Sequence, residues 1–373
     1  MKRTKKLAWL LVFLFLLSFA LMACAQGSGD TSGDAAQPTQ APPDTQESPG
    51  AQESPRIGEG RTFTLAVWGG NNPKVLDEYL VPRFEQETGA TFEYLTGSTT
   101  DRLTKLYTEK GNPSIDVAIV PIDSVSKLLK DDVILPADET IPNYDKLIPE
   151  AKLPGGYGVS IQVVAVGYSL DRVSQPPTSW EDLWGDQYKN RIALGAIPGA
   201  NGVAFLAMIN RLAGGDETDL SLGIAKVKAL KPIRAFYDES GQIPPMIENN
   251  EIDVFTMLSG LTASFKAAGA PIGIVIPEEG SPITMNVAVI PKGTKNLDLA
   301  KKAIEILLSE ELQKGYAQIL YYAPTNSTVV LPADLAEIIH PQKGDKLIQL
   351  DWDALELQNE TMLEAWNKEV VSE

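Results

Sequence analysis

The stretch "YGVSIQVVAVGYS", residues 157–169, is one long extended run. A second, "TMNVAVIP", occupies residues 284–291. The block between them has its own alternation of strands and helices. "RIALGAI" (191–197), "DVFTML" (253–258) and "PIGIVIP" (271–277) read as strands. "ANGVAFLAMINRLAG" (200–214) reads as a helix that buries Val203, Leu206 and Ile209. Thr178-Ser179-Trp180-Glu181 has capping-box spacing and predicts another helix start. A self-contained α/β block between two long extended runs predicts one lobe inserted into another, with both runs crossing between the lobes. A cleft between such lobes is a natural ligand site.

The flanking sequence repeats the rhythm. "FTLAVW" (63–68) reads as a buried strand, and Asn72-Pro73 offers an N-cap with proline at the first helical position. Leu76, Tyr79, Leu80 and Phe84 follow at helical spacing, with Pro82 placed to kink or split the helix and Gly89 to end it. "TFEYL" (91–95) is the next strand, residues 100–110 a helix, "DVAIVP" (116–121) a strand, and Val125, Leu128 and Leu129 mark a further helix. This βαβαβ order predicts an α/β fold with mostly parallel sheets flanked by helices. Residues 298–320 read as one amphipathic helix with Ala303, Ile306 and Leu307 on its apolar face. The expected lobes are 61–162 plus 288–325, and 163–287 plus 326–373.

The N-terminus has the plan of an export signal: Lys2, Arg3, Lys5 and Lys6, then an apolar run from Ala8 to Ala20, then small residues. That run falls short of the roughly 20 residues a membrane span needs. Leu21-Met22-Ala23-Cys24 resembles the lipobox of bacterial lipoproteins, which implies cleavage after residue 23 and a lipid on Cys24. Residues 24–60, rich in Gln, Ser, Gly, Pro and Asp, predict a flexible tether. Cys24 is the only cysteine, which excludes an intrachain disulfide and a metal-thiolate role.

Asp and Glu number 49 against 32 Lys and Arg, and the basic leader deepens that imbalance once removed. Such a field repels nucleic acid. His340 is the only histidine and lies in "IIHP", where it reads as part of a surface turn. No H-E-x-x-H, G-x-S-x-G or P-loop lysine occurs. No enzyme, cofactor or metal site is expected.

The ordered segments "PRFEQETGATFEYL", "PPTSWEDLWGDQYKNRIAL", "AAGAPIGIVIPEEGSPITMNVAVIPKGTKN" and "YYAPTN" resemble the solute-binding proteins of bacterial ABC importers, specifically the spermidine/putrescine-binding group. The resemblance runs from about Phe63 to Pro324. It implies a two-lobed periplasmic-binding-protein fold, each lobe a mixed, mostly parallel sheet, joined by crossing hinge strands. It also implies a monomeric extracytoplasmic receptor, with a small-molecule solute and ABC permease subunits as partners. Mapped onto matching positions, the ligand contacts would be Trp68, Gly69, Gly70, Ser98, Thr99, Asp123, Gln162, Gly199, Asn201, Thr284, Asn286 and Tyr322. Trp68 and Tyr322 would offer flat faces, and Gln162 and Asn286 neutral hydrogen bonds. The sequence departs from polyamine binders where they carry acids: Asn286 replaces the family's aspartate, Thr284 and Leu258 replace aromatics, and the turn Ala196 to Gly202 has no acid. An unpartnered buried ammonium is costly, so a simple diamine is not the expected ligand. The glycine-containing turn at a helix start leaves open a phosphonate-, phosphate-ester- or thiamine-like ligand. A surface sensor that keeps the fold without transport is the remaining alternative.

Overall fold

The computed structural model describes residues 56–372. The leader, Cys24 and most of the tether lie outside them. The first parallel group comprises β1 (Thr62–Val67), β2 (Thr91–Thr96) and β3 (Val117–Pro121). Its connections are α1 (Asn72–Val75), a π turn (Leu76–Leu80), α2 (Val81–Thr88) and α3 (Thr99–Thr108), and α4 (Ile122–Lys130) follows β3. β1 and β3 are buried along nearly their whole length, as parallel strands covered on both faces must be.

After the short β4 (Lys152–Leu153) comes β5 (Gly156–Ser169), the strand on which the fold turns. The second parallel group follows: β6 (Ile192–Gly195), α5 (Ala200–Leu212), α6 (Ser221–Lys228), β7 (Ala235–Tyr237), α7 (Ile243–Glu248), β8 (Val254–Leu258) and α8 (Ser259–Ala267). Next are β9 (Ile272–Val275) and β10 (Ser281–Val289), then α9 (Leu297–Leu307), α10 (Glu310–Leu320), α11 (Ala333–Ala336), β11 (Leu347–Ile348), α12 (Trp352–Leu357) and α13 (Asn359–Trp366). The main strand order is β2-β1-β3-β10-β5-β8-β6-β7. β10 and β5 are antiparallel to each other, and each is antiparallel to the parallel group beside it.

β5 changes partners midway. Residues Tyr157 to Val163 pair with β10, whereas Val164 to Ser169 pair with β8 and β9. The apolar core changes at the same point. Val163 belongs to a cluster with β1, β3, β10, α9 and α10. Val164 and Val166 belong to a second, with α5, α6 and the C-terminal helices. A third cluster covers the other face of the second group, around Phe255 and Ile272.

Several local expectations change. Asn72 is the first residue of α1, not its cap; Asn71 precedes it without a side-chain cap bond. Pro82 does not break the helix, because the π turn absorbs the mismatch and the Val81 N–H donates to Leu76 O. At residue 178 the capping box is Ser179 with Asp182, and it opens a 3₁₀ helix over Trp180–Trp184. β10 begins at Ser281, earlier than expected, because Ser281 and Pro282 pair with β11. The single helix expected over 298–320 is two helices, since Ser309 caps α10 through its hydroxyl to Leu312 N. The expected tether ends early: Gly58 N donates to Thr88 O at 2.8 Å and Arg56 Nη1 to Gln86 O at 3.0 Å. Residues 326–373, expected in one lobe, divide. Leu331, Leu335, Ile338 and Ile339 pack on the first cluster, while Leu350, Leu355, Met362, Trp366 and Val370 belong to the second. His340 lies at a turn, its Nδ1 3.2 Å from Asp345 Oδ2.

Candidate functional site

Ligands of parallel α/β sheets sit beyond the carboxyl ends of the strands, where helices begin. In this chain those ends carry Trp68 after β1, Ser98 after β2, Asp123 after β3 and the turn to Gly199 after β6. A cavity of about 420 Å³ opens there. Its walls include Thr99 at the start of α3, Asp123 and Lys127 of α4, Ala200 of α5 and Trp352 of α12.

Where β5 and β10 pair lies a strip of neutral polar and aromatic groups, none of which forms part of the cavity wall; the two meet at Pro121, which lines the cavity and pairs with Asn286. The rings of Trp68 and Tyr322 are 6.4 Å apart and inclined at 42°. Gln162 faces Thr284 across the strands, and Asn286 faces Ser160 and Pro121. Asn286 Nδ2 donates to Ser160 Oγ at 3.0 Å. Gln162 is 7% exposed, and its Oε1 has no partner among the described residues. A Cβ on Gly260 would come within 2.6 Å of that oxygen and 2.8 Å of Tyr322 Cδ1, so glycine lets the backbone close on both. Burial raises the Tyr322 hydroxyl above its ordinary value. At Gly69 and Gly70 a Cβ would meet no atom within 4 Å, so neither glycine is forced by packing.

Two expected contacts are committed elsewhere. The Ser98 hydroxyl accepts from Asp101 N at 3.1 Å and donates to Asp101 Oδ2 at 2.7 Å, which caps α3. Asn201 turns into the second group, its Nδ2 donating to Tyr237 Oη at 2.9 Å and Thr256 O at 3.1 Å. Its Oδ1 is buried. Gly199 is the N-cap of α5 and brings Pro198 and Ala200 to the cavity. Asp123 lines the cavity; Ser124 Oγ donates to its Oδ1 at 2.9 Å. Burial raises the Asp123 carboxyl, the Ser124 bond opposes that, and the like charge of Glu356 adds to it.

Arg102 escaped the sequence reading. It is 5% exposed, donates to Ile119 O at 2.9 Å and Gly97 O at 2.6 Å, and lies 5.9 Å from the Trp68 ring centroid. It fixes the β2–α3 turn against β3 and holds Thr99 through a 3.3 Å bond. The C-terminal wall of Trp352, Leu355, Glu356 and Asn359 was also missed. Its signal was present: Leu355, Met362, Trp366 and Val370 recur at helical spacing. Among the described residues no group of three or more His, Cys, Asp or Glu side chains could hold a metal ion.

The spermidine/putrescine-binding periplasmic proteins of Salmonella typhimurium and Escherichia coli are each 27% identical over 264 residues, covering 66% of this chain and 74% of the relative. The crystal structure of an ABC transporter protein from Clostridium perfringens superposes with a TM-score of 0.74 at 26% identity, covering 82% of this chain and 99% of that one. These relatives are binding and transport proteins rather than enzymes. The model of the bacterial extracellular solute-binding proteins matches residues 80–341, well over half of the sequence, and the chain belongs to that family.

Proposed function

We propose that this protein is a lipid-anchored receptor of an ABC importer that captures a small polar solute between two lobes, and that the solute is not a simple diamine. The observation that carries the reading is the convergence of strand ends from both parallel groups, which β5 links by changing partners midway, on one cavity. Bending of β5 where it changes partners would close one group over a solute held by the other. The strip of Trp68, Gln162, Thr284, Asn286 and Tyr322 would flank the solute with flat faces and neutral hydrogen bonds. Asn286 supports the exclusion of diamines, because it bonds Ser160 and offers no charge where the polyamine-binding relatives are expected to carry an acid. The relatives that bind spermidine and putrescine make an amine-containing solute the first class to try.

A second reading, a phosphonate-, phosphate-ester- or thiamine-like ligand, draws on one feature. Gly199 caps α5 without a side-chain bond, and the start of that helix borders the cavity. A helix N-terminus favours anions. A thermal-shift screen of polyamines, amino acids, phosphonates and thiamine compounds separates the readings, since a ligand of the folded state raises the unfolding temperature. The expected result is a clear shift with a solute other than putrescine or spermidine. If either of those two gave the largest shift, the exclusion of diamines would be wrong.

A further inference from the structure

We propose that the cavity between α4, α5 and α12 is the solute's seat, and that it takes a solute with one cationic group on an apolar body, the charge held by Asp123. This rests on the receptor reading and deepens it. The titratable groups around the cavity are Tyr107, Asp123, Lys127 and Glu356. Lys127 Nζ lies 2.9 Å from Glu356 Oε1, so those charges offset each other. The Tyr107 hydroxyl donates to Asp131 at 2.7 Å. Asp123 is bonded by Ser124 alone, through its hydroxyl and its backbone N–H, and among the described residues no cation pairs with it. The cavity therefore holds one acidic group without a cationic partner.

A partly buried carboxylate without a counter-charge is costly, and a solute cation would supply the missing partner. Arg102 does not, because its guanidinium bonds backbone carbonyls and forms no part of the wall. Leu103, Leu128, Val203, Trp352 and Leu355 make the remaining surface mainly apolar, suited to an apolar body. A second ammonium would meet those walls with no free acid. An anionic group at the start of α5 would share the space with Asp123. The volume of about 420 Å³ suits a small molecule. Burial also raises the Asp123 carboxyl, as expected of a site that lacks its counter-ion. Trp352 and Leu355 lie beyond the residues 80–341 matched by the family, so the outer wall comes from a part of this chain the family model does not describe.

Calorimetric titration of the full chain in detergent, with phenethylamine, putrescine and 2-aminoethylphosphonate as probes, tests the assignment. Phenethylamine should bind most tightly, and Asp123→Asn should weaken it about ten- to hundredfold, as expected for the loss of a charged hydrogen bond. Ala200→Trp, at an exposed edge of the cavity, should block binding independently and serves if Asp123→Asn does not fold. Tighter binding of putrescine or 2-aminoethylphosphonate, no binding of phenethylamine, or an affinity that both variants leave unchanged would overturn the proposal. A solute from the wider screen that ignores both substitutions would overturn this seat and leave the receptor reading standing. Failure to bind any solute would count against the receptor reading itself.

Discussion

Asp123 and Asp253 show how the surroundings of a carboxylate set its contribution to stability. In Asp123 burial keeps the proton on to higher pH in the folded chain than in the unfolded one. The folded state then binds more protons, so this group's contribution to stability falls as pH rises from its unfolded value through its raised folded value. Asp123→Asn should remove that decline and stabilise the solute-free protein by roughly 1 kcal/mol at pH 7, measured by urea unfolding at pH 4 and pH 7. Asp253 is the opposite case. The bond from Arg191 holds its carboxyl below the ordinary value, burial opposes that, and Arg172 adds to the lowering. Oδ1 lies 2.6 Å from Arg172 Nε and 2.8 Å from Arg191 Nη2. Asp253→Asn should leave two partly buried guanidinium groups uncompensated. The expected loss is about 2–3 kcal/mol at neutral pH, below the cost for a fully buried pair because the site is partly exposed. Wild-type stability from this group should be present above the unfolded carboxylate value and lost as pH falls through the lowered folded one. Equal stability of variant and wild type at pH 7 would refute the assignment.

Among the elements, α9 and α10 illustrate how one hydroxyl divides a helical pattern. Apolar spacing continues across residues 298–320, yet Ser309 Oγ accepts from Leu312 N at 3.4 Å and donates to Ile306 O at 2.7 Å. Ser309→Ala should cost about 1 kcal/mol in thermal unfolding. The C-terminal helices pose a different question, because their two halves are held by different forces. α13 and the π turn after it bury Met362, Trp366 and Val370, with Trp366 edge-on to Phe236 at 5.4 Å. α12 buries Leu355 in the same cluster and packs Trp352 against it, but reaches α4 through Lys130–Asp353 at 2.6 Å, Lys127–Glu356 at 2.9 Å and Ser126–Asp353 at 2.8 Å. Exposed ion pairs contribute roughly 0.2–1 kcal/mol each and weaken with salt. The indole Nε1 of Trp352 is buried and has no partner among the described residues, which further weakens the docking of α12. Raising NaCl should speed amide exchange in α12 by about three- to tenfold while leaving α13 unchanged. A uniform response of both helices in exchange mass spectrometry would show that the ion pairs do not set the difference.

For the whole molecule, the lipid reading predicts that Cys24→Ser moves the protein from the membrane fraction to the soluble one, because several acyl chains bind a bilayer almost irreversibly. Unchanged fractionation would refute that role for Cys24. The alternation of strands and helices was legible in the sequence, as were the crossing run at 157–169 and the caps at Ser98 and Gly89. Each depends on side-chain periodicity or on bonds within a few residues. The cavity was only half legible. Thr99 and Asp123 follow strand ends that the pattern predicts, but Trp352 and Glu356 reach the same space from far along the chain. Asn201, expected to contact the solute, has its amide nitrogen bonded to Tyr237 and Thr256. The sequence by itself determined the alternation of strands and helices over most of the chain up to β10, and that the run at 157–169 would join the halves. Tertiary structure alone decided which polar side chains remain free for a solute, because a hydrogen-bonding group can be taken up by a distant partner that only the packed chain brings within about 3 Å.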